Sequence, residues 1–120
     1  MRKYIMMAVA AAALLSAPLA GASAQSGDNV NRWVRINNNS GYLTVISLHA
    51  VPSRFGAGAV AGPDLIPAYT IRPGESLRFN FDDGQGTCLY DLRATSQTPG
   101  REWVVRNFNV CARSEWNLGG

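Results

Sequence analysis

Leu77 to Cys111 reads LRFNFDDGQGTCLYDLRATSQTPGREWVVRNFNVC, and this stretch decides the fold. Leu77, Phe79 and Phe81 alternate with Arg78 and Asn80, the period-two pattern of a half-buried strand. A turn-rich segment follows from Asp82 to Thr87. Alternation resumes at Cys88, with Tyr90, Leu92 and Ala94 on one face and Asp91 and Arg93 on the other. The run from Arg101 to Cys111 changes parity. Trp103 and Val105 share one phase and Phe108 and Val110 the other, so a β-bulge near Arg106–Asn107 is expected. The midpoint between Cys88 and Cys111 falls between Pro99 and Gly100, the most turn-prone part. A hairpin folded there sets the two thiols opposite each other.

Upstream, Val30 to Asn37 and Tyr42 to Ala50 read as two more strands. The Asn37–Gly41 turn between them suggests a first hairpin. Ala68–Ile71 and Ser114–Leu118 complete a set of six or seven short strands. The chain carries no helical stripe after its first residues. The expected fold is all-β: a small antiparallel β-sandwich, Greek-key-like, with one disulfide. A small β-barrel is the alternative.

The N-terminus reads as a cleavable signal peptide over residues 1–24. Arg2 and Lys3 precede the apolar run Ile5–Leu15, and Ala22-Ser23-Ala24 fits a small-x-small cut between Ala24 and Gln25. The apolar run is too short to anchor in a bilayer, so no stable membrane anchor is expected after cleavage. Residues 25–29 read as a flexible tail and 30–120 as the β domain. The expected location is periplasmic or secreted. Cutting there removes 24 of 120 residues and two of the 11 basic ones, leaving nine arginines against eight acids, a net charge of +1. The remaining arginines do not cluster, so nucleic acid is not an expected partner.

Two cysteines in an oxidising compartment allow one intramolecular bridge, Cys88–Cys111. Metal binding by the pair is disfavoured by the absence of CxxC spacing and of a nearby histidine. Closing a loop of this length is worth roughly 3 kcal/mol in the chain-entropy model.

The longest irregular segment, residues 51–67, holds three glycines and three prolines in VPSRFGAGAVAGPDLIP. Loops of this length are often functional, and Arg54, Phe55 and Asp64 form the candidate recognition loop. A plain crossover between sheets is the competing reading. Asp82-Asp83-Gly84-Gln85-Gly86 offers two adjacent carboxylates as a weak calcium candidate, without the spacing of an EF-hand. His49 could in principle serve Ser47 or Ser53, but no nucleophile-elbow motif accompanies it, so no catalytic residue is assigned. Trp33, Trp103 and Trp116 could build a stacking platform, with Trp116 the least obviously buried.

Ile36-Asn37-Asn38-Asn39-Ser40-Gly41, Asp64-Leu65, Ile71-Arg72-Pro73-Gly74-Glu75-Ser76, Cys88-Leu89-Tyr90-Asp91-Leu92-Arg93-Ala94 and Asn109-Val110-Cys111 together resemble a family of short exported proteobacterial proteins. The C-x-Y-D-x-R-A strand and the following N-V-C are the specific part. The resemblance implies export, the Cys88–Cys111 bridge and a β fold. It also implies an aromatic followed by glycine where Phe55-Gly56 stands, and it supplies no catalytic residue. The functional expectation is a non-catalytic, cofactor-free accessory or inhibitor module acting on an envelope or extracellular protein. A small-ligand, carbohydrate or calcium-binding module is the alternative.

Overall fold

The computed structural model describes residues 19–21, 25–56 and 58–119. Its strands are β1 (Leu19–Gly21), β2 (Trp33–Asn39), β3 (Val45–Pro52), β4 (Ser76–Asn80), β5 (Leu89–Ser96), β6 (Glu102–Asn109) and β7 (Glu115–Gly119). A short 3-10 turn, Ser53–Phe55, follows β3. No α-helix occurs among the described residues. One sheet has the order β1-β4-β2-β7 and the other β3-β5-β6.

The second sheet is antiparallel throughout. The first is mixed, because β2 pairs antiparallel with β4 but parallel with β7 and β1 runs parallel to β4. The two sheets face each other across one core. Val34, Ile36, Leu77, Phe79, Trp116 and Leu118 come from the first, and Val45, Leu48, Leu92, Ala94 and Phe108 from the second. Except on β3, where a register shift between Val45 and Ser47 changes the phase, these are the inward positions of alternating runs, and each fully buried aliphatic contributes about 1.5–3 kcal/mol. Tyr90 joins the core and sends its hydroxyl to the Phe81 carbonyl at 2.8 Å. Burial drives its pKa upward, so the phenol is neutral throughout the physiological range.

The β5–β6 hairpin forms as its turn residues predict, and Cys88 and Cys111 are bridged with Cα atoms 5.2 Å apart. The register shifts between Tyr90 and Leu92, which pair with Phe108 and Val105. Arg106 and Asn107 are thereby squeezed opposite Asp91. Asn107 takes a left-handed φ of 54°, which Asn tolerates better than most residues. This is the bulge that the parity break in the sequence marks.

Three expectations are corrected. β2 and β3 do not form a hairpin: they lie in different sheets, and the Asn-rich segment is a corner between them. Asn38 pegs that corner from a fully buried position. Its amide donates to the carbonyls of Leu43 (2.6 Å) and Ile71 (2.7 Å), and its oxygen accepts from the Ser40 hydroxyl (2.7 Å). Ala68–Ile71 contributes only an isolated bridge, Ile71 to Val45, because the corner consumes the neighbouring backbone groups. Trp116 is not the exposed tryptophan. It is 7 % exposed and packs 6.3 Å from the Phe108 ring, since β7 inserts alongside β2 and turns that face inward.

The expected signal segment lies outside the described residues except for Leu19–Gly21, which pair with Arg78–Asn80.

Candidate functional site

β3 runs directly into the 3-10 turn. The Gly56 amide closes that turn on the Ser53 carbonyl at 3.1 Å. A buried carboxylate holds the turn in place. Asp91, on the outward face of β5 yet only 3 % exposed, accepts from the Ser53 hydroxyl (2.8 Å), the Arg106 guanidinium (3.0 Å) and the Asn107 amide (3.0 Å). Arg106 also donates to the Gly58 carbonyl. The β6 bulge therefore aims one amide and one guanidinium at Asp91, and Asp91 passes the constraint to the turn. The Asn107 amide leads the hydrogen bonds that outweigh desolvation and hold the Asp91 pKa below the usual carboxylate range.

The turn presents Phe55, which is 71 % exposed, the highest value among the exposed large hydrophobics. The Arg54 guanidinium lies over the Phe55 ring at 4.6 Å, a cation–π arrangement. Arg54 also donates to the Thr87 hydroxyl at 3.0 Å, and Thr87 donates to Asp83 at 2.8 Å. The structure thus brings Arg54, Phe55 and the Asp83 turn to one end of the sandwich.

Asp64, the third residue of the candidate loop, does a different job. Its carboxylate accepts from the Leu48 amide (3.0 Å) and the Ile66 amide (2.9 Å), stapling the far end of the loop onto the β3 edge.

Asp82 and Asp83 are both engaged with donors of the chain. Asp82 is buried and accepts from the Ser26 amide (2.9 Å), the Ser26 hydroxyl (2.7 Å) and the Gly84 amide (3.0 Å). The Ser26 hydroxyl and amide, in that order, pull the Asp82 pKa down. Asp83 accepts from the Gln85 amide (2.8 Å) and from Thr87. Burial pushes the Asp83 pKa up, but these hydrogen bonds outweigh it and the net direction is downward. No group of three or more His, Cys, Asp or Glu side chains placed to hold a metal ion occurs among the described residues.

Two features escaped the sequence reading. Ser26 is tied to Asp82, so the stretch read as a loose tail is held at the second residue after the expected cut. Arg32, which the alternation does not single out, is fully buried. It makes a two-pronged contact with Asp28 (2.9 and 2.7 Å) and donates to the Thr87 carbonyl at 2.8 Å. The hydrogen bond to Asp28 raises the Arg32 pKa, and the same pairing pulls the Asp28 pKa down. Arg32 and Arg54 both end on Thr87, one on its carbonyl and one on its hydroxyl. The only available hint was Thr87 itself, next to Cys88 in a glycine-rich turn.

His49 meets Ser47 at 3.0 Å through Nε2, while Nδ1 faces the carbonyls of Gly62 (3.0 Å) and Pro63 (3.2 Å). The two carbonyls accept only, so a proton on Nδ1 is the arrangement that serves them. Ser47 in turn contacts the Thr95 hydroxyl. The pair sits two residues apart on β3, so the contact follows from the strand's period of two, and it fastens residues 62–63 over the second sheet. Ser53 lies elsewhere, on Asp91.

Trp33 and Trp103 are half-buried. The Arg78 guanidinium stacks over Trp33 at 4.9 Å, and the Trp103 indole donates to the Gly119 carbonyl at 2.6 Å.

Comparison with protein-family models, with curated proteins and with solved structures finds no match to this chain.

Proposed function

We propose that this protein is an exported, non-catalytic binding module whose Arg54–Phe55 tip seats in an apolar pocket of an envelope or extracellular protein. The observation that carries this reading is Phe55, exposed at 71 % on a turn that a buried carboxylate holds in place. An exposed aromatic costs solubility and contributes nothing to the core. On a held turn it loses little conformational freedom when it is buried against a partner, and rigid aromatic anchors dominate binding energy at interfaces. Arg54, stacked on the ring, brings a positive charge to the rim, so an acidic rim on the partner suits it. Export is supported by the signal-like residues 1–24 and by the Cys88–Cys111 bridge, which suits an oxidising compartment. An accessory or inhibitor role is consistent with this mode of contact.

In-cell crosslinking and pull-down of the processed protein tests the reading, using Phe55→Ala and Arg54→Ala variants. Phe55 is exposed and is not among the residues packed against the core, so Phe55→Ala should leave the melting temperature within a degree or two while abolishing capture of the partner. Unchanged capture by a folded Phe55→Ala variant removes the tip from the site.

A further inference from the structure

We infer that the β4 edge is a strand-acceptor slot. Leu19–Gly21 of the chain's own leader fill it before processing, and an extended segment of the protein partner, parallel to β4, fills it afterwards. This rests on the export reading.

Leu19, Ala20 and Gly21 pair with Arg78, Phe79 and Asn80 in a parallel ladder. On the other side of β4, Phe81 donates to the Arg32 carbonyl at 3.0 Å, and Val34 and Ile36 face Phe79 and Leu77. Backbone groups alternate sides along an antiparallel strand, so Leu77, Phe79 and Phe81 bond to β2. Arg78 and Asn80 therefore aim their N–H and C=O groups at the edge, where β1 meets them. A cut after Ala24 removes β1 and leaves those groups without strand partners. Asp82 still grips Ser26, so the new N-terminus marks the downstream end of the opened slot.

The other edges are managed. The β3 edge is stapled by Asp64 and by Leu65, whose amide donates to the Leu48 carbonyl at 2.8 Å. β6 is kinked by its bulge, and β7 meets β6 through Trp103 and Gly119. Edge strands are usually protected by a charge or a bulge. The one charge on β4, Arg78, leans over Trp33 of β2, and Ser76 donates to Asn37 of β2 at 2.6 Å. These two side chains lean toward β2, and the third outward one, Asn80, accepts from the Asp82 amide at 3.0 Å, so the edge stays open to main-chain pairing.

The test compares the oxidised full-length chain with the processed form, after intact mass has verified the cut, by amide hydrogen exchange. The amides of Arg78 and Asn80 should exchange at least about tenfold faster in the processed form, while Leu77 and Phe79 stay protected. Adding the peptide of residues 16–24 at millimolar concentration should restore protection, and the same peptide with Ala20→Pro should not. Equal exchange in both forms, no effect of the peptide, or a leader retained on the exported protein overturns the inference. For the partner itself, Arg78→Pro removes an edge-facing N–H without touching the β2 ladder. Capture of the partner should fall at least about tenfold in Arg78→Pro. If Arg78→Pro captures normally while Phe55→Ala does not, the slot is overturned and the tip stands. If Arg78→Pro does not fold, the peptide experiment on the unmodified protein decides.

Discussion

The Asp91 carboxylate occupies the space that a Cβ on Gly56 would need. Gly56 has an ordinary extended backbone, φ −93° and ψ 115°, so it is there for room and not for a left-handed turn. The aromatic–glycine pair at residues 55–56 thus has a physical meaning: the aromatic is presented and the glycine lets the loop lie against Asp91.

Gly56→Ala should therefore push Asp91 off Ser53 and Arg106. Overpacking of this kind costs about 1–3 kcal/mol. In a domain of this size that is a fall in melting temperature of roughly 4–8 °C per kcal/mol. Gly27→Ala is the control, because nothing stands within 4 Å of its added Cβ. A thermal melt of the two variants in parallel checks the difference. Equal melting temperatures would show that Asp91 yields freely.

Acid should unfold this protein through Asp82 and Asp91. The Ser26 hydroxyl and amide lower the pKa of the first, and the Asn107 amide leads the lowering of the second. A carboxylate with a folded pKa below its unfolded value of about 3.9 stabilises the fold fully above that unfolded value. The contribution is lost as pH falls through the folded pKa. Stability should accordingly be flat with respect to these two groups from neutral pH down to about pH 5 and decline below about pH 4. Denaturant midpoints measured across that range would show it. Asp91→Asn should lower stability at neutral pH and flatten the acid limb. A steeper acid limb in that variant would contradict the assignment.

Most strands were legible, but beyond the β5–β6 hairpin their partners were not. Val34, Ile36, Leu77, Phe79, Tyr90, Leu92 and Ala94 all point inward as their alternation requires, and the parity break between Val105 and Phe108 located the bulge. Alternation reports which face a strand buries, not which strand lies beside it. For that reason β2 and β3 looked like a hairpin although they belong to opposite sheets, and β7 gave no sign of running parallel to β2. Of the candidate site, Arg54 and Phe55 were legible as polar and aromatic residues in a glycine-rich loop. Asp91 was read correctly as outward-facing, yet a loop more than thirty residues away covers it. Arg32 and Ser26 gained their roles from the Asp82–Thr87 turn, which no local pattern connects to them.

Asn38 should prove the most sensitive polar residue of the fold. Its side chain serves two buried carbonyls and one hydroxyl at the corner where the chain changes sheets. Leaving a buried polar group unsatisfied costs about 1–3 kcal/mol. Asn38→Ala strands more than one and should cost about 3 kcal/mol or more. Asn38→Asp keeps the acceptor but removes the donors, and it should be no better. Urea denaturation of both variants would test this, and a loss under about 1 kcal/mol would mean that water replaces the side chain.

Removing the bridge separates chain entropy from packing. Cys88 and Cys111 are 23 residues apart, and the hairpin between them is also held by its own β5–β6 ladder. The double variant Cys88→Ser with Cys111→Ser should therefore fold with the same strands but lose roughly 3 kcal/mol, the loop-closure share of a total near 5–15 kcal/mol. Both cysteines are partly buried, with Cys111 packed against the core, and the isosteric serines keep most of that packing, so the loss should stay near that entropic figure. The neighbouring contacts of Thr87 with Arg32 and Arg54 sit one residue from Cys88. Freeing that end of β5 should loosen the Arg54–Phe55 tip before the rest of the sandwich. Hydrogen exchange at residues 86–89 should accelerate at denaturant concentrations where the amides of Leu92 and Ala94 remain protected. Simultaneous loss of protection at both places would mean that the tip and the sheet unfold as one unit.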